Sequence, residues 1–157
     1  MIMTHFTIGT IVPDFSATIT GNQAIKLSDY RGKNVVLYFY PKDSTPGCTL
    51  ESHDFRDNYE NFEAANTIIF GISRDSIRSH DGFKCKQNLP FDLISDNDET
   101  LCQLFDVLKT KNMYGKEVIG IERSTFLINA DGILIHEWRK VKVNGHSLEV
   151  LEKVRAI

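Results

Sequence analysis

Residues 34–55 read NVVLYFYPKDSTPGCTLESHDF. The run from Asn34 to Tyr40 is apolar and aromatic with no charge in it, which predicts a buried strand. Ser44-Thr45-Pro46-Gly47 then turns the chain. Beyond the turn, Phe55, Tyr59 and Phe62 recur at i, i+4 and i+7, the spacing of an amphipathic helix over Pro46 to Ala65. Proline is favoured at the first helical position and threonine is a good cap, so Thr45 reads as the N-cap. Cys48 falls at the third helical position, where a capping box carries Glu or Gln. The first-turn N–H groups are unpaired and the helix dipole is positive there, so an anion is stabilised. A thiolate is such an anion, and helix N-termini are among the sites that bring a cysteine pKa below its usual ~8.5. Gly47 beside it lets another molecule approach the backbone closely. Cys48 is either a small buried hydrophobe or a reactive thiol, and the local setting favours the reactive reading.

Working outward, strands and helices alternate. Upstream, VPDFSATIT (12–20) turns at GNQ toward AIKL, an N-terminal β-hairpin, and LSDYRGK is a loop. Downstream, TIIFGIS (67–73) is a second buried strand. SIRSHDGFKCKQN (76–88) is a short helix capped by Ser76 and ended by Leu89-Pro90. PFDLISD (90–96) is a strand. DETLCQLFDVL (98–108) is expected to be a helix with Leu101, Leu104, Phe105 and Leu108 as its core stripe. RSTFLI turns at NADG into ILIHEWRKVKV, a hairpin with a strong turn signal. Ser147 to Ala156 closes the chain as a helix with Leu148, Leu151 and Val154 inward. This order implies an α/β sandwich whose sheet is partly antiparallel.

The 157 residues suffice for one domain with a real core, read as spanning 1–157. A formal net charge of -3 disfavours a general nucleic-acid surface. No apolar run approaches the ~20 residues that span a bilayer. MIMTHFTIG lacks a basic segment followed by an apolar one, so no export signal is read and the expected compartment is the cytoplasm. The three cysteines, Cys48, Cys85 and Cys102, are odd in number and widely spaced, unlike a disulfide framework. The five histidines form no ligand-spaced pair, so no metal site is expected. RGKN and YGKE lack the glycine that a phosphate-cradling loop needs.

YFYPKDSTPGCT places Pro41, Thr45 and Cys48 in the spacing P-x-x-x-T-x-x-C, and IERSTFLI supplies Arg123 ahead of a strand. With VPDFSA, SRDSIRSHDGF, LPFDLISD and NMYGKEVIGIERSTFLINADG, these residues make the chain resemble peroxiredoxins of the PrxQ class, also called bacterioferritin comigratory proteins, over nearly its whole length. The resemblance implies a thioredoxin-like fold, with a central mixed β-sheet flanked by helices. It implies reduction of hydrogen peroxide and organic hydroperoxides with no metal, haem or flavin. In that family the motif cysteine attacks the O–O bond and becomes a sulfenic acid, the first rung of thiolate oxidation. Carried over, Thr45 holds a peroxide oxygen, the Gly47 and Cys48 N–H groups stabilise developing charge, and Pro41 shapes and shields the pocket. Arg123 supplies fixed positive charge; alone it is one of 18 Lys and Arg and reads as a solvated strand end, and the motif reverses that reading.

A sulfenic acid is usually recycled through a second thiol. Many PrxQ proteins carry it five residues after the first, where this chain has His53. Other members resolve from the next helix, where Cys85 lies. It stands ~200° round the helix from the apolar Phe83, facing solvent, with Lys84 and Lys86 beside it to favour a thiolate. In similar family members the cysteine directly follows the phenylalanine, where this chain has Lys84. Cys102, beside the Leu101/Leu104/Phe105 stripe, reads as core. Bridging Cys48 and Cys85 needs Cα atoms within ~7 Å, so one or both helices are expected to unwind locally. The expected partners are a hydroperoxide and thioredoxin or a similar thiol reductant, with the chain a monomer or weak homodimer. RKVKVNGH (139–146) either docks a reductase or is a strand with a solvated face. Two alternatives stand beside this reading: a one-Cys peroxidase recycled by an external thiol, and a non-enzymatic redox sensor.

Overall fold

The structure, a computed structural model, describes residues 6–157; Met1 to His5, with most of the leader reading and His5, lie outside them. In chain order the first elements are β1 (Ser16–Ile19), β2 (Gln23–Lys26), a 3-10 turn (Leu27–Tyr30), β3 (Asn34–Phe39), α1 (Pro46–Asp57) and α2 (Tyr59–Ala64). There follow β4 (Thr67–Ser73), α3 (Ile77–Gln87), β5 (Asp92–Ser95), α4 (Thr100–Leu104), β6 (Leu108–Met113) and β7 (Lys116–Ile121). The chain ends with β8 (Ser124–Ile128), β9 (Leu134–Trp138) and α5 (His146–Arg155).

Seven strands form one mixed sheet in the order β2-β1-β5-β4-β3-β8-β9. β3, β4 and β5 run parallel, while β8 and β9 continue the sheet antiparallel and β1 and β2 close its other edge. Side chains on a strand alternate between faces, and β3 shows what that does here. Val35, Leu37 and Phe39 enter one core with Phe70, Phe105 and Phe126. Val36, Tyr38 and Tyr40 enter the other, under α1, α2, α3 and α5, and Cys48 belongs to this second layer. Tyr38 lies directly opposite Gly71 of β4, where an added Cβ would stand 2.7 Å from the tyrosine ring. A strand glycine is needed there because the ring occupies its side-chain space.

Several expected elements differ. The single helix over Pro46 to Ala65 is two, because Asn58 leaves the helical conformation (φ -102°, ψ 5°). Its side-chain amide donates to Asp54 O at 3.0 Å, taking the carbonyl that a continuing helix bonds, and reaches Ser147 Oγ at 3.2 Å. The helix at 98–108 is only α4. Asp106 turns left-handed (φ 53°), Val107 N–H returns to Cys102 O, and Leu108 opens β6 rather than extending the helix, although it still packs against the core that holds Leu101 and Phe105. β6 and β7 form a separate hairpin through Tyr114 and Gly115, both at positive φ, the geometry of a tight two-residue turn. β9 ends at Trp138 rather than Val143, with Lys140 left-handed and Arg139 donating to Phe105 O and Asp106 O. In α5 the inward residues are Val150, Leu151 and Val154; Leu148, expected inward, is 57% exposed. Among the described residues no helix is long and apolar enough to cross a membrane.

Candidate active site

The first turn of α1 sets the site. Thr45 holds the N-cap position with extended backbone, and Pro46 follows at N1. Its hydroxyl does not cap: it donates to Lys42 O at 2.9 Å, which fixes the side chain and leaves its lone pairs to accept a ligand proton. Thr49 N–H is the first to close a helical bond, onto Thr45 O, so the Gly47 and Cys48 N–H groups are open donors among the described residues. Pro41 is half-buried where β3 leaves the sheet, just ahead of this loop.

Cys48 Sγ is buried at 1% exposure, yet not in hydrocarbon alone. Arg123, immediately before β8, donates from Nη2 to Sγ at 3.5 Å, and Nη1 donates to Glu51 Oε1 at 2.6 Å. The strand order places β8 beside β3, so the guanidinium reaches the helix that β3 feeds. Gly47 lies close beneath it: a Cβ there would stand 3.2 Å from Nη2, so the guanidinium would have to give by a few tenths of an ångström. The sulfur therefore sits between the open amide dipoles of the first turn and the Arg123 guanidinium. Burial works to lower the Arg123 pKa, but Glu51 and Cys48 outweigh it and hold the guanidinium above its ordinary value.

Glu51 is the residue that the sequence reading passed over. It stands three residues after Cys48, the spacing that puts two side chains on one helix face, and that was the signal available. Its carboxyl is 1% exposed, and Oε2 has no partner among the described residues. Burial, against the attraction of Arg123, raises its pKa from 4.5 to about 7. A carboxyl with a raised folded-state pKa stabilises the fold fully below its unfolded value, and that contribution is lost as pH rises to about 7. The linked loss is roughly 3 kcal/mol. Glu51→Gln is therefore expected to flatten this part of the pH dependence. Urea unfolding at pH 5 and pH 7 checks it: the stability difference between the two should be more positive in the wild type than in the variant.

The three thiols are unbonded and differently placed. Cys102 is fully buried, and burial together with Asp96 pushes its pKa far up, which fits packing. Cys85 is exposed on α3, as its helical angle to the buried Phe83 predicts. The active-site loop is fastened to the start of α3. Asp43 accepts from Tyr40 Oη at 2.6 Å and from Ser79 Oγ at 2.8 Å, and its Oδ2 pairs with His80 Nδ1 at 2.7 Å. His80 Nε2 faces Ile94 O at 2.9 Å. Asp75 completes the network by accepting Asp43 N–H. Asp43, Asp75 and His80 could in principle gather round an ion, but each donor atom already has a hydrogen-bond partner within the protein.

A thioredoxin-like sheet that presents one thiol at a helix start, under a guanidinium, is the architecture of a peroxiredoxin. The AhpC/TSA family model matches residues 8–137, and the chain belongs to that family as a peroxiredoxin of the PrxQ/Bcp class. It is 52% identical over 148 residues to peroxiredoxin Bcp of Bacillus subtilis, covering 94% of each chain. It is 51% identical over 143 residues to that of Xanthomonas campestris, covering 91% of this chain and 89% of the other. Among solved structures it matches a cysteine-to-serine variant of Xylella fastidiosa PrxQ with a TM-score of 0.92, at 46% identity and 97% coverage of both chains. It also matches the Xanthomonas campestris bacterioferritin comigratory protein with a TM-score of 0.87, at 50% identity and 90% coverage of both. That structure concerns the Xanthomonas protein's alkyl peroxide reduction. The chain is thus a thiol peroxidase whose reaction partners are peroxides and thioredoxin-type reductants.

Proposed function

We propose that Cys48 is the thiol that reduces the hydroperoxide and that Cys85 resolves the product, within a single domain spanning residues 1–157. The reading rests first on the Arg123 guanidinium 3.5 Å from Cys48 Sγ. In the first step the Cys48 thiolate attacks the nearer peroxide oxygen, the O–O bond breaks, and the leaving oxygen departs as alkoxide or hydroxide and takes up a proton. Cys48 becomes a sulfenic acid. Arg123 and the Gly47 and Cys48 N–H groups meet the charge that moves from sulfur to oxygen, and they are in place beforehand. The Thr45 hydroxyl, anchored to Lys42 O, accepts the hydroperoxide proton and orients the substrate. Pro41 walls the loop side of the pocket.

In the second step the Cys85 thiolate attacks the Cys48 sulfenic sulfur, forming the disulfide and releasing hydroxide. A dithiol reductant of thioredoxin type then restores both thiols. Cys85 supports this role by being the exposed thiol, on a helix tied to the active-site loop. Cys85→Ser is expected to keep one full turnover per Cys48 while steady-state recycling by thioredoxin falls about 10-fold or more, since the dithiol loses its disulfide target. Peptide mapping without reductant, after one equivalent of peroxide, should yield the Cys48–Cys85 peptide. Undiminished recycling in the variant would instead select a one-Cys cycle served by an external thiol.

A further inference from the structure

α1 and α3 are joined at both ends. Near their starts, the Asp43 network holds Ser79 and His80. At the far end, His53 Nε2 meets Gln87 Oε1 at 2.6 Å, and Arg56 Nη1 donates to Gln87 O at 2.9 Å. Gln87 is the last residue of α3, so α1 grips this helix end by side chain and by backbone together. Between the two fastenings Phe83 is buried while Cys85 faces solvent.

These contacts set the register of the two thiols. Cys48 lies five residues before His53, about 7.5 Å along α1, and Cys85 lies two before Gln87, about 3 Å along α3. Cys48 points inward beneath Arg123 and Cys85 points outward. Two cysteines whose side chains diverge cannot be bridged without backbone movement. Backbone in one or both helices has to come loose, and for the last turn of α3 the grip of His53 and Arg56 on Gln87 is what opposes it.

We propose that His53 and Arg56 are positioning residues for the second step: their hold on Gln87 keeps α3 closed and so sets the rate at which Cys85 reaches the Cys48 sulfenic acid. This deepens, and rests on, the assignment of Cys85 as resolving thiol. While α3 is closed the sulfenic acid is exposed to a second hydroperoxide, which oxidises it to the sulfinic acid and leaves as alcohol or water. The clamp thus divides each oxidised Cys48 between disulfide and over-oxidation.

The test is rapid-quench kinetics with thiol mapping on the wild type, His53→Ala, Gln87→Ala and Gln87→Glu. Oxidation of Cys48 by the first peroxide should stay within about twofold of wild type in all three variants, which also reports a folded active site. Cys48–Cys85 formation should be about five- to tenfold faster in His53→Ala and Gln87→Ala, as expected for losing one hydrogen bond, with less sulfinic acid at high peroxide. Gln87→Glu, which gives Arg56 and His53 an anion to hold, should form the disulfide more slowly and over-oxidise more. General structural damage would not produce opposite signs at one position. Unchanged disulfide rates in all three variants would overturn the clamp while leaving Cys85 in its role. Absence of a Cys48–Cys85 bond in the wild type would remove both.

Discussion

Cys48→Ser is expected to lower hydroperoxide consumption by about 10⁴-fold or more while leaving the fold intact. The reaction needs an anion at this position, and near neutrality a serine hydroxyl does not supply one. Nothing else in the site changes: Arg123, the open amides of the first turn and the Thr45 hydroxyl stay where they are. The loss therefore isolates the nucleophile from the preorganised charge around it. The replacement differs by one atom in a site of 1% exposure, so thermal unfolding should shift little. Peroxide depletion with a thiol reductant present, followed beside circular dichroism, checks both parts. Retained consumption would move the chemistry to Cys85, the exposed thiol.

Arg123→Met should reduce the second-order rate of Cys48 oxidation by about 10²- to 10³-fold, the scale on which one preorganised charge-stabilising donor contributes. Its effect on stability follows a separate route. Glu51 Oε2 is already unpartnered, and the substitution strips the remaining oxygen of its partner. An ionised carboxylate left alone in the core would cost about 3–5 kcal/mol. With its pKa already at about 7, Glu51 can take up a proton instead, so the expected loss is smaller, about 1–3 kcal/mol. Adding Glu51→Gln to Arg123→Met should return most of that stability and none of the rate. Steady-state kinetics and urea unfolding of the two variants separate the two roles; recovery of the rate in the double variant would show that Arg123 acts only as the counter-ion of Glu51.

The central strand, the helix opened by Pro46 and the place of Cys48 at its third position could be read from the sequence, because strong local signals and tertiary packing agree there. The same holds for the exposure of Cys85 and the burial of Cys102, which follow from angular position on helices anchored by Phe83 and Leu101. Other features depend on partners distant in the chain. Asn58 ends α1 with help from Ser147, eighty-nine residues away, and no periodicity within 46–65 reports that. The β6–β7 hairpin has no continuous apolar face, with Tyr114, Val118 and Ile119 exposed, and its turn opens with tyrosine rather than asparagine or aspartate. Leu148 satisfied a helical stripe on paper, but the helix rotates to bury Val150 instead. Thr45 had the right residue type for a cap, and the nearby Lys42 carbonyl claimed its hydroxyl.

The fastening of Ser79 and His80 to Asp43 bears on how the enzyme resets. A helix is slow to start and quick to lengthen, because its first turn orders several residues for one bond. If only the far end of α3 unravels during turnover, the opening turn survives as a seed held by buried ties. Recoil after reduction then adds residues to an existing turn, a process on the order of nanoseconds per residue. The catalyst can melt part of itself in every cycle without having to nucleate that part again.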